Sequence, residues 1–437
     1  MVPRLTLGLG CAGMMLALSL VPGYGTPRDS QLNGESLRQA ARQVTASLAA
    51  PDSVRQAELQ RLLADWMDTD SFTRATFDRY IQRSLDDYSK ALSRDEMEAL
   101  VHHHRQRVQA AVEERLERDL LDWADTRNIG AVHVVSHRVQ DDTGEMELLI
   151  LTEDGQHGIR GHLARQEDRW GIVELELDGD KLSDLYRARF HRILDRRYSP
   201  PVLVAHLLDR PYVVLEDFTG TPVGDLPLNW GVWRDRDQKK PLTYRIATQG
   251  DRPYLAAADS GQAIILGKFA HWNPREYPIM TWCWRTDALP DGGDESRTET
   301  NDSAAGLYVL FSQNWLGVPR QVKYVWSTTL PVGTIGRRNL LFRPWYIVME
   351  SGYDNVGRWT FEKADLEDHH ARTIGGEPAT RTTGLGILTD ASNTGTYAEA
   401  GYGEIRVWTR QALEDGLITD HCSHLNESTR TACAPGK

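Results

Sequence analysis

Cysteine is scarce in this chain, with four among 437 residues, so a disulfide-dense scaffold or a multi-cysteine zinc framework is not available to it. Positive charge is also short. Lys and Arg number 50 against 62 Asp and Glu, for a formal net charge of −12, and no basic stripe gathers them. That argues against a nucleic-acid partner. Beyond the N-terminus no apolar run is long enough to span a bilayer. Gly-x-Ser-x-Gly, P-loop and dinucleotide fingerprints are missing too. What remains is a chain too long for a single hydrophobic core, so two or three domains are expected.

The N-terminus has its own character. Arg4 precedes an apolar run from Leu5 to Leu20, and Pro22-Gly23-Tyr24-Gly25 follows it. A charged start, a hydrophobic centre and a small-residue exit predict a secretory signal over residues 1–25, with a short membrane anchor as the alternative. After cleavage no integral membrane segment is expected. In an oxidising compartment Cys422 and Cys433 are the expected disulfide, while Cys283 in Trp282-Cys283-Trp284 reads as a buried, inert residue.

Residues 36–125 carry helical periodicity. Asp70 or Ser71 is placed as an N-cap before Phe72, Phe77 and Tyr80, and Ser93 with Glu96 has capping-box spacing ahead of a long helix over 94–123. Four strands are then predicted at Val132–Val139, Glu145–Leu151, Gly158–Arg165 and Trp170–Leu177. In the last, Val173, Leu175 and Leu177 alternate with Glu174, Glu176 and Asp178, and Asp178-Gly179 closes it. Leu182, Leu185, Tyr186 and Phe190 then recur at helical spacing. Helices, an antiparallel meander and a closing helix make an α+β domain over 30–210, helices packed on a four-stranded antiparallel sheet.

The order Trp170, Ile172, Asp178, Gly179, Leu182, Tyr186, Arg187, Phe190 resembles the end of the MlaC-type (toluene-tolerance auxiliary) periplasmic phospholipid-binding proteins, and Trp66 to Phe72 fits an earlier segment of that family. The resemblance covers roughly Ser36 to Leu208. It implies acyl chains held in an apolar gap between helices and sheet, lined here by Phe72, Tyr80, Met97, Val101, Leu148, Ile150, Val173 and Leu175. Each of these has plain core packing as its alternative. It further implies a periplasmic location, no cofactor, and an envelope ABC-transporter complex as a possible acceptor of the cargo. The short polar third strand (Gln156, His157, Arg160, His162) and the Arg- and Glu-rich long helix depart from the family pattern.

From Val213 the chain changes to short β-prone runs broken by Gly, Pro and Asp, which predict an all-β sandwich or jelly roll over 212–410 with a helical interlude at 363–374 and a polar tail at 411–437. Trp282 and Trp284, Asp302 to Ala305 with Val309 and Phe311, and the loop Gly384 to Gly395 resemble a bacterial exported domain family of unknown function.

The polar constellations are weaker. His102-His103-His104 point in three directions on a helix and cannot chelate one ion. Asp365, Asp368, His369 and His370 lack the arrangement of a zinc protease. Thr389 to Gly395 with Asp302 and Glu404 could offer oxygens to calcium, or form a turn held by side-chain hydrogen bonds. No metal ligand set is therefore assigned. Glu362, Asp365 and Glu367 show no strand-like acid pair, so no catalytic residue is assigned and a non-enzymatic protein is expected. Trp272, Trp315, Trp326, Trp345 and Trp359 are candidates for a sugar-stacking platform, and Trp282 and Trp284 read as core. The leading expectation is a lipid carrier. A glycan- or envelope-binding protein acting through the second domain is the alternative, followed by a carbohydrate-active enzyme.

Overall fold

The computed structural model describes residues 67–90, 92–126, 129–153, 155–166, 169–233, 238–240, 242–313, 319–337, 344–423 and 425–426. The signal segment, the helices expected before Trp66, Trp315 and Cys433 lie outside these. The architecture is mixed α+β and divides into two compact units. The first comprises the described residues up to Arg83, then His104–Arg196 and His206–Leu208; the second comprises Ser84–His103, Arg197–Ala205 and Asp209 onward.

In the first unit, α1 (Thr69–Ser84) is capped by Asp68, whose carboxylate accepts the Ser71 N–H at 2.9 Å. The cap is thus two or three positions earlier than Asp70 or Ser71, because the chain is pinned there by pairing of Met67 with Ile172. The helix α2 (Arg94–Thr126), which belongs to the second unit up to His103 and to the first from His104, opens on the expected box: Ser93 N–H donates to Glu96 at 2.7 Å and Glu96 N–H to Ser93 Oγ at 3.3 Å. Then come β1 (Ile129–Gln140), β2 (Thr143–Thr152), β3 (Gly155–Gln166), β4 (Arg169–Leu177), β5 (Asp180–Lys181) and α3 (Leu182–Arg196).

The sheet has five strands in sequential order, all antiparallel, not four. The extra strand follows from the Asp178-Gly179 turn. Both residues have positive φ (47° and 96°), so the chain reverses as a tight hairpin and Asp180–Lys181 pair back before α3 begins.

The helix α4 (Pro200–Leu207), which belongs to the second unit up to Ala205 and to the first at His206 and Leu207, precedes a β-rich region in the second unit. A seven-stranded sheet runs, in spatial order, β14 (Ile335–Gly336), β15 (Trp345–Ser351), β13 (Pro319–Ser327), β12 (Ala305–Gln313), β17 (Gly384–Ile387), β10 (Leu266–Phe269) and β7 (Gly231–Val232). A six-stranded sheet runs β16 (Thr360–Asp365), β11 (Ile279–Ala288), β18 (Ala398–Trp408), β9 (Arg252–Asp259) and β8 (Tyr244–Gln249), with β6 (Tyr212–Glu216) also on β18. Their inner faces meet through Trp282 on Tyr324 (5.2 Å between ring centroids) and Trp284 on Trp326 (6.2 Å). Two short helices, α5 (Leu366–Thr373) and α6 (Arg410–Glu414), complete it. The helical interlude starts later than expected because Lys363–Asp365 still belong to β16, and Asp365 serves as the cap of α5.

The disulfide joins Cys283 to Cys422, not Cys422 to Cys433. Cys283 is buried as expected, but it is bonded rather than free. The β11–β16 and β11–β18 pairings bury its side chain on the face where the segment after α6 returns, which puts Cys422 within reach.

Candidate functional site

The first unit's sheet is two-faced. Met146, Leu148, Ile150, Ile159, Leu163, Ile172, Leu175 and Leu177 are buried along β2, β3 and β4. The other face carries a charge ladder: Arg160 reaches Glu147 at 2.6 Å and Glu176 at 3.2 Å, and His162 reaches Glu176 at 3.0 Å. Arg160 is the cross-strand partner of both Glu147 and Glu176, and His162 reaches Glu176 on the diagonal. The inner face of β3 is apolar at Ile159 and Leu163, while His157, opposite Ile150, brings an imidazole to that face and reaches Asp178 at 3.5 Å.

The alternation read along β4 is interrupted. His162 pairs with Glu174 but Leu163 pairs with Ile172, which leaves Val173 as the extra residue of a bulge. Trp170 and Ile172 are therefore buried on one side of it and Leu175 and Leu177 on the other, while Val173 is half-buried. Against this layer the helices contribute a ring cluster. Phe72 meets Tyr186 edge-on at 5.7 Å, Tyr186 meets Phe190 at 6.0 Å, and Phe77 meets Phe190 at 6.5 Å. The Tyr186 hydroxyl donates to Asp119 at 3.1 Å, and Asp119 is paired with Arg115 at 2.8 Å.

Of the eight residues expected to line a lipid gap, Phe72, Tyr80, Leu148, Ile150 and Leu175 are buried in this unit. Val173 stands at the bulge. Met97 and Val101 are half-buried and belong to the second unit, so they are not grouped with the other six. Ile172, Phe77, Tyr186 and Phe190 join the apolar layer in their place. The aromatic spacing in α3 already marked the last two.

The other constellations resolve into structure. His102 is exposed, His103 half-buried and His104 buried, so the run does not converge. Asp365 caps α5 and holds Arg410 at 2.7 Å, while His370 bonds the Gly376 carbonyl and His369 the Tyr324 hydroxyl. In the Asp390 loop, the Asp302 carboxylate accepts the backbone N–H groups of Asn393 and Thr394 and the Thr394 hydroxyl, as in a turn held by side-chain hydrogen bonds, and Glu404 is turned to Arg406. His421 lies with Cys283 and Cys422 within 4.8 Å, but the disulfide consumes both thiolates. Lys323 Nζ is 3.0 Å from Ser303 Oγ, a pairing seen in nucleophilic catalysis, yet Ser303 has no exposed surface and cannot meet a substrate.

Trp272, Trp326 and Trp359 are interior (0%, 0% and 4% exposed) and cannot be a stacking platform; Trp282 and Trp284 are core, as read from the sequence. The structure does reveal one acid pair that sequence reasoning missed. Glu362 on β16 lies near enough to Glu350 on β15 for its charge to oppose ionisation. Burial, partly offset by the Trp284 indole N–H at 3.2 Å, combines with that charge to push the Glu362 carboxyl up to about 8. No sequence signal announces this pair, because its members come from different sheets.

Comparison with known proteins adds the following. Residues 229–406 match the model of a family described as Protein of unknown function (DUF3047). No curated protein matches the sequence. Among solved structures, the chain is similar to a phospholipid-binding protein from Ralstonia solanacearum determined with a phospholipid, at 17% identity and a TM-score of 0.27, covering 38% of this chain and 89% of that one. It is also similar to a DUF4783 family protein from Bacteroides ovatus, at 10% identity and a TM-score of 0.15, covering 15% of this chain and 61% of that one. A third is the glycoside hydrolase domain of Endo-D from Streptococcus pneumoniae, at 8% identity and a TM-score of 0.20, covering 39% of this chain and only 20% of that one. Among the described residues, no helix is long and apolar enough to cross a membrane.

Proposed function

We propose that the first unit is a binding module for a long-chain amphiphile, a phospholipid first among them, in a protein exported to the periplasm. The observation that supports the reading is the division of the β2–β4 sheet into one face that is apolar save for His157 opposite Ile150, set against the Phe72–Tyr186–Phe190 rings, and one charged face. The stretch from Trp170 to Phe190, which carries the resemblance to the MlaC-type family, builds half of that apolar layer. Such a layer attracts acyl chains through water release, at roughly 0.8 kcal/mol per buried CH₂. This unit acts by holding and releasing cargo, with an envelope transporter as the acceptor.

The test is mass spectrometry of an organic extract from the full chain, purified without detergent. Phospholipid at a stoichiometric level is expected, and Ile150→Asp, which puts a charge into the layer, is expected to strip it. A wild-type protein that carries no lipid, and takes up none from phosphatidylethanolamine–phosphatidylglycerol vesicles, overturns the reading.

A further inference from the structure

The second unit holds a site of a different kind at the edge where its two sheets face each other. Glu362 and Trp282 are directly paired across β16 and β11, so their side chains share the inner face of the six-stranded sheet. Glu350 and Trp326 are paired across β15 and β13 on the facing sheet. Trp284 against Trp326 and Trp282 against Tyr324 close the space between them. Two carboxyl groups thus enter one aromatic-walled edge from opposite layers.

Each carboxyl is held differently. Glu362 receives one indole N–H, from Trp284 at 3.2 Å. Glu350 accepts the Asn355 side-chain amide at 3.0 Å and the Ser351 N–H at 2.9 Å. Both residues are half-buried, so neither is sealed in the core. The indole N–H of Trp282 is buried, with the residue 1% exposed, and has no acceptor. At the rim the loop after β15 is fixed by Trp326 Nε1 donating to the Gly352 carbonyl at 3.1 Å, and it presents Tyr353 at 60% exposure.

We propose that Glu362 and Glu350 form a general acid–base pair that hydrolyses a glycosidic bond, with Tyr353 as a stacking surface for the sugar. A carboxyl held protonated beside a charged one, among aromatic side chains, is the pairing that acetal hydrolysis uses. Glu362 gives its proton to the bridging oxygen as the bond from that oxygen to the anomeric carbon breaks. A water molecule adds its oxygen to that carbon, and the proton it loses passes to Glu350. One water is consumed, two sugar hydroxyl ends result, and proton exchange with solvent resets both carboxyl groups. The burial that keeps Glu362 protonated to about pH 8 supports this division of roles, and Glu350 is the charged neighbour acting on it.

The experiment uses the full chain with the β-linked hexamers of glucose and of N-acetylglucosamine, read by chromatography of the products and by tryptophan fluorescence. Cleavage of at least one hexamer is expected. Glu362→Gln and Glu350→Gln should each lose at least about 100-fold in kcat. Glu362→Gln should still quench fluorescence on binding, which shows that its site is folded. Tyr353→Ala should raise KM more than it lowers kcat. Removing the Glu350 charge should also move the high-pH limb of the residual rate downward. Failure of the wild-type protein to cleave either hexamer overturns the proposal, as does cleavage by Glu362→Gln at the wild-type rate.

Discussion

Cys283 is covalently tied to Cys422 across 139 residues of sequence. The bond fastens the segment after α6 to β11, the strand next to the β16 edge of the six-stranded sheet, where Trp359 and Leu425 pack on it. Closing so long a loop restricts the unfolded chain strongly, so Cys422→Ala should cost about 2–5 kcal/mol of the second unit's stability. Urea unfolding followed by tryptophan fluorescence checks this. Cys433→Ala should leave the midpoint unchanged, and adding reductant should lower the wild-type midpoint to that of Cys422→Ala.

Lys268 and Glu216 make a second deep link, at 2.7 Å, with both side chains under a tenth exposed. The lysine also donates to the Leu215 carbonyl, and the carboxylate accepts the Trp230 indole N–H and the Phe218 N–H. Replacing Lys268 with Met leaves a charged carboxylate buried without its counter-ion, which should cost about 3–5 kcal/mol. Adding Glu216→Gln to that variant should recover part of the loss. A double variant less stable than Lys268→Met would show that the backbone bonds to Glu216, not the charge pair, hold this corner.

Gly384 opens the motif that marked the second half of the sequence, and the structure gives its reason. A Cβ there would sit 2.3 Å from the Lys268 carbonyl oxygen, across the β10–β17 pairing. Backbone cannot retreat as a side chain can. Gly384→Ala should therefore destabilise the second unit by about 1–3 kcal/mol. Gly267→Ala is the control: its obstacle is the ring of Trp233, 40% exposed and free to swing away, so a smaller loss in thermal midpoint is expected.

Much of this was legible in the residues, and the failures share a cause. The capping box at Ser93 and Glu96, the four long strands of the first sheet and the core role of Trp282 and Trp284 all rest on local pattern, and all are present. Asp178-Gly179 was read as a turn, but only its two positive φ values show that it forms a hairpin and adds a fifth strand. The bulge at Val173 breaks the strand's alternation from within, where composition is blind to it. The partner of Cys422 and the pairing of Glu350 with Glu362 depend on which strands become neighbours. Sequence distance says nothing about that.

The pH dependence of stability offers a test of the Glu362 environment that needs no substrate. Its carboxyl is raised from the ordinary range to about 8, chiefly by burial, with the Glu350 charge adding to it. Folded protein then keeps a proton that the unfolded chain releases between about pH 4.5 and pH 8. The stabilisation is complete below the unfolded value and is lost as pH rises through the folded one. Wild-type thermal midpoints should fall over that interval, at about 2–4 °C for each kcal/mol lost in a unit of this size. Glu362→Gln, neutral at every pH, should flatten the slope and match the wild type near pH 5. Equal slopes for the two proteins would mean that this carboxyl is as well solvated as any on the surface.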